Sequence, residues 1–334
     1  MRTTTQSTSA APTADGRQGG PRRFRALGAI ALVAALAGGA AFASGRVGRS
    51  PDAPAARAPE VARPSPYAGL GTWVDVYDWS PTVTRGRPVV GPADVDAMAA
   101  AGIETLFIQT AKAEVDGDLV DPELLITLVE RARAHGLGVV GWYVPTLVDE
   151  AGDLRRLLAA ASLGVDGVAV DIEARNVRDV ALRTQRLISL SGQLRRALPG
   201  HQLGAIVMPP VLLDVVNPGW WPGFPWRELA PLYDVWLPMS YSTERLRDSG
   251  WRDGYRYTTE NIVRLRAHLG RPDAPVHTIS GIADRLNRAD LEGTVRAVNE
   301  TGAVGASLYD WHSTGAVAWP FLTPLRRSEA APAP

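Results

Sequence analysis

The chain has 334 residues, of which 46% are hydrophobic, so it is long and apolar enough to build a sizeable core. Its 35 basic and 35 acidic residues cancel, which argues against a nucleic-acid-binding protein, because such proteins usually carry a basic excess. The sequence has no Cys, which excludes a disulfide scaffold, a thiol nucleophile and a thiolate metal site. Its five His lack the paired spacing of zinc hydrolases, and we expect no metal or other cofactor.

The N-terminal part is predicted to direct export rather than to fold. A basic region, residues 1–25, precedes the uncharged residues 26–45, which contain the small-x-small sequence AFA. This pattern indicates either a cleaved signal peptide or a membrane anchor, with everything that follows outside the cytoplasmic membrane. Residues 46–66 are rich in Ala, Pro and Arg and predict an extended linker, and residues 328–334 predict a disordered tail. We therefore expect an extracellular or cell-surface protein.

Residues 67–327 alternate short apolar strands with amphipathic helices. The predicted strands are TWVDVY, TLFIQT, GVVGWYV, GVAVDIE, QLGAIVM, DVWLPMSY, PVHTISGI and VGASLYDW. Several predicted helices are followed by a glycine, which suits a left-handed helix end: Gly102, Gly136, Gly164, Gly270 and Gly302. Eight strand–helix units of this size predict an α/β fold, a (β/α)8 TIM barrel. A doubly wound open sheet is the rival, but no GxGxxG follows the first strand.

The fourth predicted strand carries the clearest functional signal. Reactive groups of (β/α)8 barrels lie at the C-terminal ends of the strands, where DGVAVDIE places two acids. Side chains alternate along a strand, so Asp171 and Glu173 are predicted to face the barrel interior, as does Ala169. Two close, partly buried carboxylates push their pKa values apart, so one can act as a general acid while the other stays charged. A structural ion pair with an Arg such as Arg175 is the alternative.

This stretch, residues 166–173, resembles the DGxDxDxE signature of the family 18 glycoside hydrolases, the chitinases and endo-N-acetylglucosaminidases. The resemblance implies a (β/α)8 barrel in which Glu173 protonates the glycosidic oxygen. It also implies that Asp171 orients and stabilises the 2-acetamido group of the substrate, the nucleophile of a retaining, substrate-assisted reaction. Ala169 replaces the middle Asp of the signature, which in the family supports the Asp two positions further on.

Two further segments are similar to that family. LPMSYS, at the end of strand six, resembles its Met-x-Tyr segment. This implies that Tyr241 holds the reacting acetamido carbonyl and that Met239 lines the sugar subsite, although Ser242 stands where an Asp usually follows. LYDWHS, on strand eight, places Trp311 where the family keeps a Trp under the sugar ring.

Other side chains at predicted strand ends are candidates for substrate binding: Asp75, Gln109, Trp142 and Asp310. Trp residues are numerous, and the loop GWWPGFPW follows strand five on the side of the predicted site. Because sugar faces stack on aromatic rings, this composition fits a carbohydrate cleft.

The sequence therefore predicts a secreted or surface-tethered glycoside hydrolase that acts as a monomer on N-acetylated or cell-envelope polysaccharide. A non-catalytic carbohydrate-binding barrel remains open, favoured by Ala169 and Ser242. A conventional retaining glycosidase also remains open, with Asp75 or Asp310 as a second carboxylate about 5 Å from Glu173.

A third alternative is a metal-dependent amidohydrolase. It requires a cluster of His and carboxylate ligands. His277 and His312, on adjacent predicted strands, are its only candidate pair near the barrel mouth.

Overall fold

The computed structural model describes residues 65–327. Eight parallel strands form one sheet in the order β6-β5-β4-β3-β2-β1-β8-β7. The strands are β1 Gly69–Val74, β2 Thr105–Gln109, β3 Gly138–Tyr143, β4 Gly167–Ile172, β5 Gln202–Val207, β6 Val235–Pro238, β7 His277–Ile282 and β8 Gly305–Tyr309. Two parallel bridges, Trp236 with Val276 and Met239 with Ile279, close the sheet between β6 and β7. The predicted (β/α)8 barrel is confirmed.

The helices follow the strands as the sequence pattern requires. They are α1 Val76–Trp79, α2 Pro81–Thr84, α3 Pro92–Ala100, α4 Pro122–Ala134, α5 Glu150–Ser162, α6 Val180–Ala197, α7 Trp226–Leu229, α8 Gly254–Leu269, α9 Arg288–Thr301 and α10 Trp319–Leu322. Side chains of Asp149, Asp179, Asp253 and Asn287 cap the N-termini of α5, α6, α8 and α9. All five glycines predicted at left-handed helix ends have positive φ, from 63° to 78°.

The core has two layers, which follow from the alternation of side chains along each strand. Val168, Val170 and Ile172 pack outward against the helices, whereas Ala169 packs in the barrel interior. Large aromatic rings fill this interior below the mouth: Trp73, Phe107 and Trp142. The barrel interior is therefore a packed core rather than an open pore, and side chains at the mouth of the barrel lie above it.

Within residues 65–327, no helix is both long and apolar enough to cross a bilayer. The basic region at 1–25, the predicted leader at 26–45, nearly all of the linker and the tail at 328–334 lie outside the described residues. Export and tethering stay predictions.

Candidate active site

A cavity of about 400 Å³ opens at the C-terminal ends of the strands. Its lining comes from the ends of β1, β2, β3, β4, β6 and β8 and comprises Asp75, Tyr77, Gln109, Lys112, Ala113, Glu114, Trp142, Val144, Thr146, Asp171, Glu173, Ala174, Asn176, Met239, Tyr241 and Tyr309. Seven of the nine predicted site residues are among them. This is the end of the barrel at which such folds carry their chemistry.

Asp171 and Glu173 lie at the centre of the predicted site and line this cavity. Asp171 is the fifth residue of β4 and only 7% exposed, and its Oδ1 is buried without a hydrogen-bond partner among residues 65–327. Burial raises the pKa of the Asp171 carboxyl well above its usual range, and the charge of Glu173 raises it further. Burial also raises the pKa of Glu173, which follows directly on the strand end. A raised pKa suits a group that must carry a proton to the substrate.

The layer of the barrel interior beneath these two acids is apolar because of two neighbouring residues on β3 and β4. Ala169, one layer below Asp171 on β4, pairs in register with Trp142 on β3, and both belong to the interior core. Ala169 brings no carboxylate to this layer, and the Trp142 indole makes its other side apolar. Asp171 consequently lacks the supporting acid that the family 18 signature places at position 169.

The structural ion pair with Arg175 does not form. Within the described part of the chain, neither Asp171 nor Glu173 lies within salt-bridge distance of a basic side chain. The Arg175 guanidinium instead lies 4.7 Å from the ring centre of Trp220. A structural pair therefore does not account for the two acids.

Tyr241 and Met239, just beyond β6, line the same cavity. Burial raises the pKa of the Tyr241 phenol, and the negative charges of Asp171, Glu173 and Asp310 raise it further. The hydroxyl group therefore keeps its proton and is available as a hydrogen-bond donor to a ligand carbonyl.

Asp75 lies in the cavity, but not on a strand as predicted. β1 ends at Val74, and Asp75 caps the N-terminus of α1 by accepting a hydrogen bond from the Tyr77 N–H at 2.7 Å. Asp is among the residues best suited to this position. Its other carboxylate oxygen accepts a 2.6 Å hydrogen bond from the Tyr309 hydroxyl. Burial raises the pKa of Asp75, and Tyr309 partly offsets that effect.

Asp310 does not line the cavity, although its carboxylate lies near that of Asp75. Carboxylate atoms of Asp75, Asp78 and Asp310 come within 4.8 Å of one another. Burial and the two neighbouring acids raise the pKa of Asp78 to about 7. Calcium takes six to eight oxygen ligands, whereas these carboxylates already accept hydrogen bonds from Asp75, Tyr77, Tyr309 and Ser313. We assign no metal to this cluster.

Gln109 and Trp142 also line the cavity. The Gln109 side chain is already hydrogen-bonded, whereas the Trp142 indole N–H is not. The Gln109 side chain accepts from the Val76 N–H and donates to the Ala111 carbonyl, so both of its ends already hold the surrounding loops. Trp142 is only 4% exposed, and its indole Nε1 has no hydrogen-bond partner among residues 65–327. A buried indole N–H normally has one, which marks Trp142 as a candidate donor to a ligand.

The structure does not bring Trp311 to the cavity. β8 ends at Tyr309, so Trp311 lies two residues beyond it, where its ring stacks on Trp319 and its Nε1 donates to Asp94 at 3.3 Å. Tyr309 occupies the inward position instead and lines the cavity, which the sequence patterns did not predict. The alternation that places Ser307 inside the barrel would have identified Tyr309 two positions further on.

The Trp-rich loop after β5 does not form a sugar cleft. Trp221, Phe224 and Trp226 are buried in the core between barrel and helices. Their rings pack against one another, with centroids 5.2 Å and 4.4 Å apart. The same aromatic composition therefore serves packing here.

The histidine pair of the amidohydrolase alternative is separated. His277 is the first residue of β7, fully buried, and it contacts the Tyr67 carbonyl and the Ser307 hydroxyl. It belongs to the N-terminal end of the barrel, not to its mouth. Burial lowers its pKa to about 4, so it stays neutral. His312 is exposed.

Comparisons with known proteins agree with the fold. No protein-family model and no curated protein matches the sequence. Among solved structures, a family 18 chitinase from Cycas revoluta, in complex with (GlcNAc)4, has a TM-score of 0.58 at 10% identity, over 77% of this chain and 99% of that one. The Bacillus cereus spore cortex-lytic enzyme SleL has a TM-score of 0.56 at 11% identity, over 78% and 74%.

A different kind of glycosidase is also similar. The endo-1,4-β-D-mannanase from Thermotoga petrophila has a TM-score of 0.51 at 12% identity, over 73% of this chain and 88% of that one. Identities this low show a shared fold and nothing about activity. The expected chitinase-like fold is confirmed, and the chemistry has to be argued from the site itself.

Proposed function

We propose that the chain is a glycoside hydrolase that cleaves N-acetylated polysaccharide with retention, using the acetamido group of the substrate as nucleophile. The observation that supports this best is the convergence of Asp171, Glu173 and Tyr241 on one cavity at the barrel mouth. Within residues 65–327 no basic side chain forms a salt bridge with Asp171 or Glu173, and the Asp171 Oδ1 has no hydrogen-bond partner.

The reaction proceeds in two steps. Protonated Glu173 donates its proton to the glycosidic oxygen as the C1–O bond breaks, and the acetamido carbonyl oxygen bonds to C1. Because the pKa of both acids is raised, the pair holds a proton near neutral pH, and the reacting form is the one with that proton on Glu173 and with Asp171 ionised. The Asp171 carboxylate then stabilises the positive charge that develops on the acetamido group, and the Tyr241 hydroxyl holds its carbonyl oxygen. Glu173, now a carboxylate, takes a proton from the water that attacks C1 while the bond between C1 and the acetamido oxygen breaks, which regenerates the acetamido group, releases the sugar and restores the acid.

The cavity geometry favours this mechanism over a conventional one with a carboxylate nucleophile. Asp75 is the obvious second acid, but its two oxygens accept hydrogen bonds from Tyr77 and Tyr309. A carboxylate held in this way is a poorer nucleophile, because attack would break both bonds. Asp310 does not line the cavity.

A non-catalytic carbohydrate-binding barrel is the second candidate. Ala169 supports it, because the carboxylate of Asp171 rests on an apolar floor without the supporting acid of the family signature. Glu173 speaks against it, since binding alone does not require a proton donor in the cavity.

We also propose that the protein acts outside the cytoplasmic membrane, at the cell surface or beyond. This rests on the basic region and apolar run of residues 1–45 alone. It agrees with a polymeric substrate from the cell envelope.

Substrates with and without the acetamido group test the mechanism. Incubated with the full chain, chitin oligosaccharides or peptidoglycan glycan strands should be cleaved about 10³-fold faster than cellulose oligosaccharides of equal length, which lack the internal nucleophile. Products are measured by mass spectrometry. Comparable cleavage of cellulose would instead indicate an enzymatic nucleophile, and binding of the acetylated glycan without any cleavage would indicate the carbohydrate-binding barrel.

A further inference from the structure

We propose that the cavity is built for a polysaccharide that carries free amino groups as well as acetylated ones, with one ammonium group of the substrate held by Asp75. The proposal rests on the proposed function in one respect, since an acetylated sugar occupies the Asp171–Glu173 end of the cavity. It adds a substrate class, a partly de-N-acetylated amino-sugar polymer.

The first support is an uncompensated excess of acid around the cavity. Carboxyl groups of Asp75, Glu114, Asp171 and Glu173 line it, and Lys112 is the one basic side chain among the lining residues. Lys112 is already bound to Glu114, with Nζ and Oε2 2.5 Å apart. The remaining acids face no basic partner within residues 65–327.

The group of acids extends beyond the residues that line the cavity. Carboxylate oxygens of Asp75, Asp78 and Asp310 lie within 4.8 Å of one another, and the charges of Asp75 and Asp310 oppose ionisation of Asp78. Burial raises the pKa of both Asp75 and Asp78. Within residues 65–327, no basic side chain forms a salt bridge with Asp75, Asp78 or Asp310. An ammonium group beside Asp75 would favour the ionised form of these acids, whereas a neutral acetylated sugar would not.

Two buried polar atoms of residues that line the cavity also point to a ligand. The Oδ1 of Asp171 and the Nε1 of Trp142 lack hydrogen-bond partners among the described residues, and both residues are more than nine-tenths buried and line the cavity. One atom accepts and the other donates, so together they fit a sugar that presents an N–H or O–H group and an oxygen.

The walls near Asp75 suit an ammonium group in particular. Tyr77, 60% exposed, and Tyr309 line the cavity, and the Lys112 ammonium already lies 5.5 Å from the ring centre of Tyr77. Aromatic faces attract cations at such distances. An ammonium group donates three hydrogen bonds and needs fewer oxygen ligands than a divalent metal ion, whose coordination the hydrogen-bonded acids cannot complete.

Matched polymers test the inference on the full chain. Half-N-acetylated chitosan is compared with the same preparation after chemical re-acetylation of its amines. We expect kcat/KM to be about tenfold higher for the amine-bearing polymer at about 20 mM salt, and the advantage to shrink at about 500 mM salt as the charges are screened.

Variants locate the effect. Asp75→Asn keeps a capping side chain but removes the charge, and should bring the ratio of the two kcat/KM values close to one. Glu292→Gln, an exposed acid of α9 outside the cavity, should keep the wild-type ratio. A general loss of structure would lower both values together and leave their ratio unchanged.

Two results would overturn the inference: equal cleavage of both polymers, or a preference that persists in Asp75→Asn. Cleavage of neither polymer would count against the proposed hydrolase instead. Calorimetric titration with the same two polymers would then decide the inference, because tighter binding of the amine-bearing polymer supports it and equal binding rejects it.

Discussion

Replacing Glu173 by Gln is expected to lower kcat on an N-acetylated oligosaccharide by about 10²–10⁴-fold, the usual contribution of a general acid. Gln keeps the shape and a hydrogen-bond donor, so Kd for the substrate should change by no more than about threefold. Turnover is measured by product release, and binding by calorimetry.

The pH profile gives the same variant a second readout. A general acid works only while protonated, and burial raises the pKa of Glu173, which extends activity to higher pH than an ordinary Glu would allow. Above that raised pKa, wild-type activity should fall, and Glu173→Gln should lose this alkaline limb. Glu130→Gln, an exposed acid on α4, is the matched control and should behave as wild type. Retention of more than half of the activity in Glu173→Gln would remove Glu173 from the mechanism.

Replacing Asp171 by Asn is expected to lower kcat/KM by about 10²–10³-fold and, at neutral pH, to stabilise the protein. The catalytic loss follows from removing a preorganised charge at the developing cation. The gain in stability follows from burial, because the buried carboxyl, whose Oδ1 has no partner among residues 65–327, resists ionisation and must keep a proton that the unfolded chain releases. The gain should amount to about 2–4 °C in Tm, the shift for about 1 kcal/mol in a domain of this size.

The pH dependence of the Tm difference between Asp171→Asn and wild type tests whether burial of the carboxyl causes the gain in stability. The folded-state pKa of Asp171 is raised above its unfolded value, so the unfolded state releases this proton first. The carboxyl therefore costs no stability below the unfolded pKa, and the cost grows as the pH rises toward the folded pKa. The difference in Tm between Asp171→Asn and wild type should open over that interval, as thermal melts at several pH values would show.

A second buried Asp supplies the control. Asp153 is 1% exposed, but its carboxylate accepts hydrogen bonds from the Tyr143 hydroxyl at 2.7 Å and the Leu147 N–H at 2.8 Å. Asp153→Asn should lower Tm, because it replaces an acceptor whose hydrogen bonds are satisfied. A fall in Tm for Asp171→Asn as well, with activity intact, would instead identify Asp171 as structural.

The barrel and the orientation of its fourth strand could be read from the sequence because both follow local periodicity. Alternation along β4 placed Val168 and Val170 outward and Asp171 inward, as the structure has them. The helix-ending glycines are equally local, since only the backbone of one residue has to turn left-handed.

The errors concern strand ends and aromatic side chains. β8 stops at Tyr309, two residues before Trp311, and this shift turns Trp311 toward Trp319 and brings Tyr309 into the cavity. Asp75 likewise became a helix cap because β1 ends at Val74, three residues before the predicted end of that strand at Tyr77. Where a strand ends depends on its neighbours in the barrel, which no local pattern contains.

The number of aromatic residues did not predict where a sugar would bind, again because tertiary packing decides. Tryptophan packs equally well in a core and in a sugar cleft, so the loop after β5 carried the same signal for both. Only the fold decides, and it buries Trp221 and Trp226 while directing Trp142 to the cavity.

A crystal structure of the full chain carrying Glu173→Gln, soaked with a chitin oligosaccharide, tests the proposed site most directly. We expect one sugar in the mouth of the barrel, with its acetamido carbonyl oxygen within hydrogen-bond distance of the Tyr241 hydroxyl. Its N–H should lie against Asp171, and the glycosidic oxygen should contact the side chain at position 173. A sugar bound elsewhere on the molecule, or lying in the cavity with its acetamido group turned away from both Asp171 and Tyr241, would contradict the proposed mechanism.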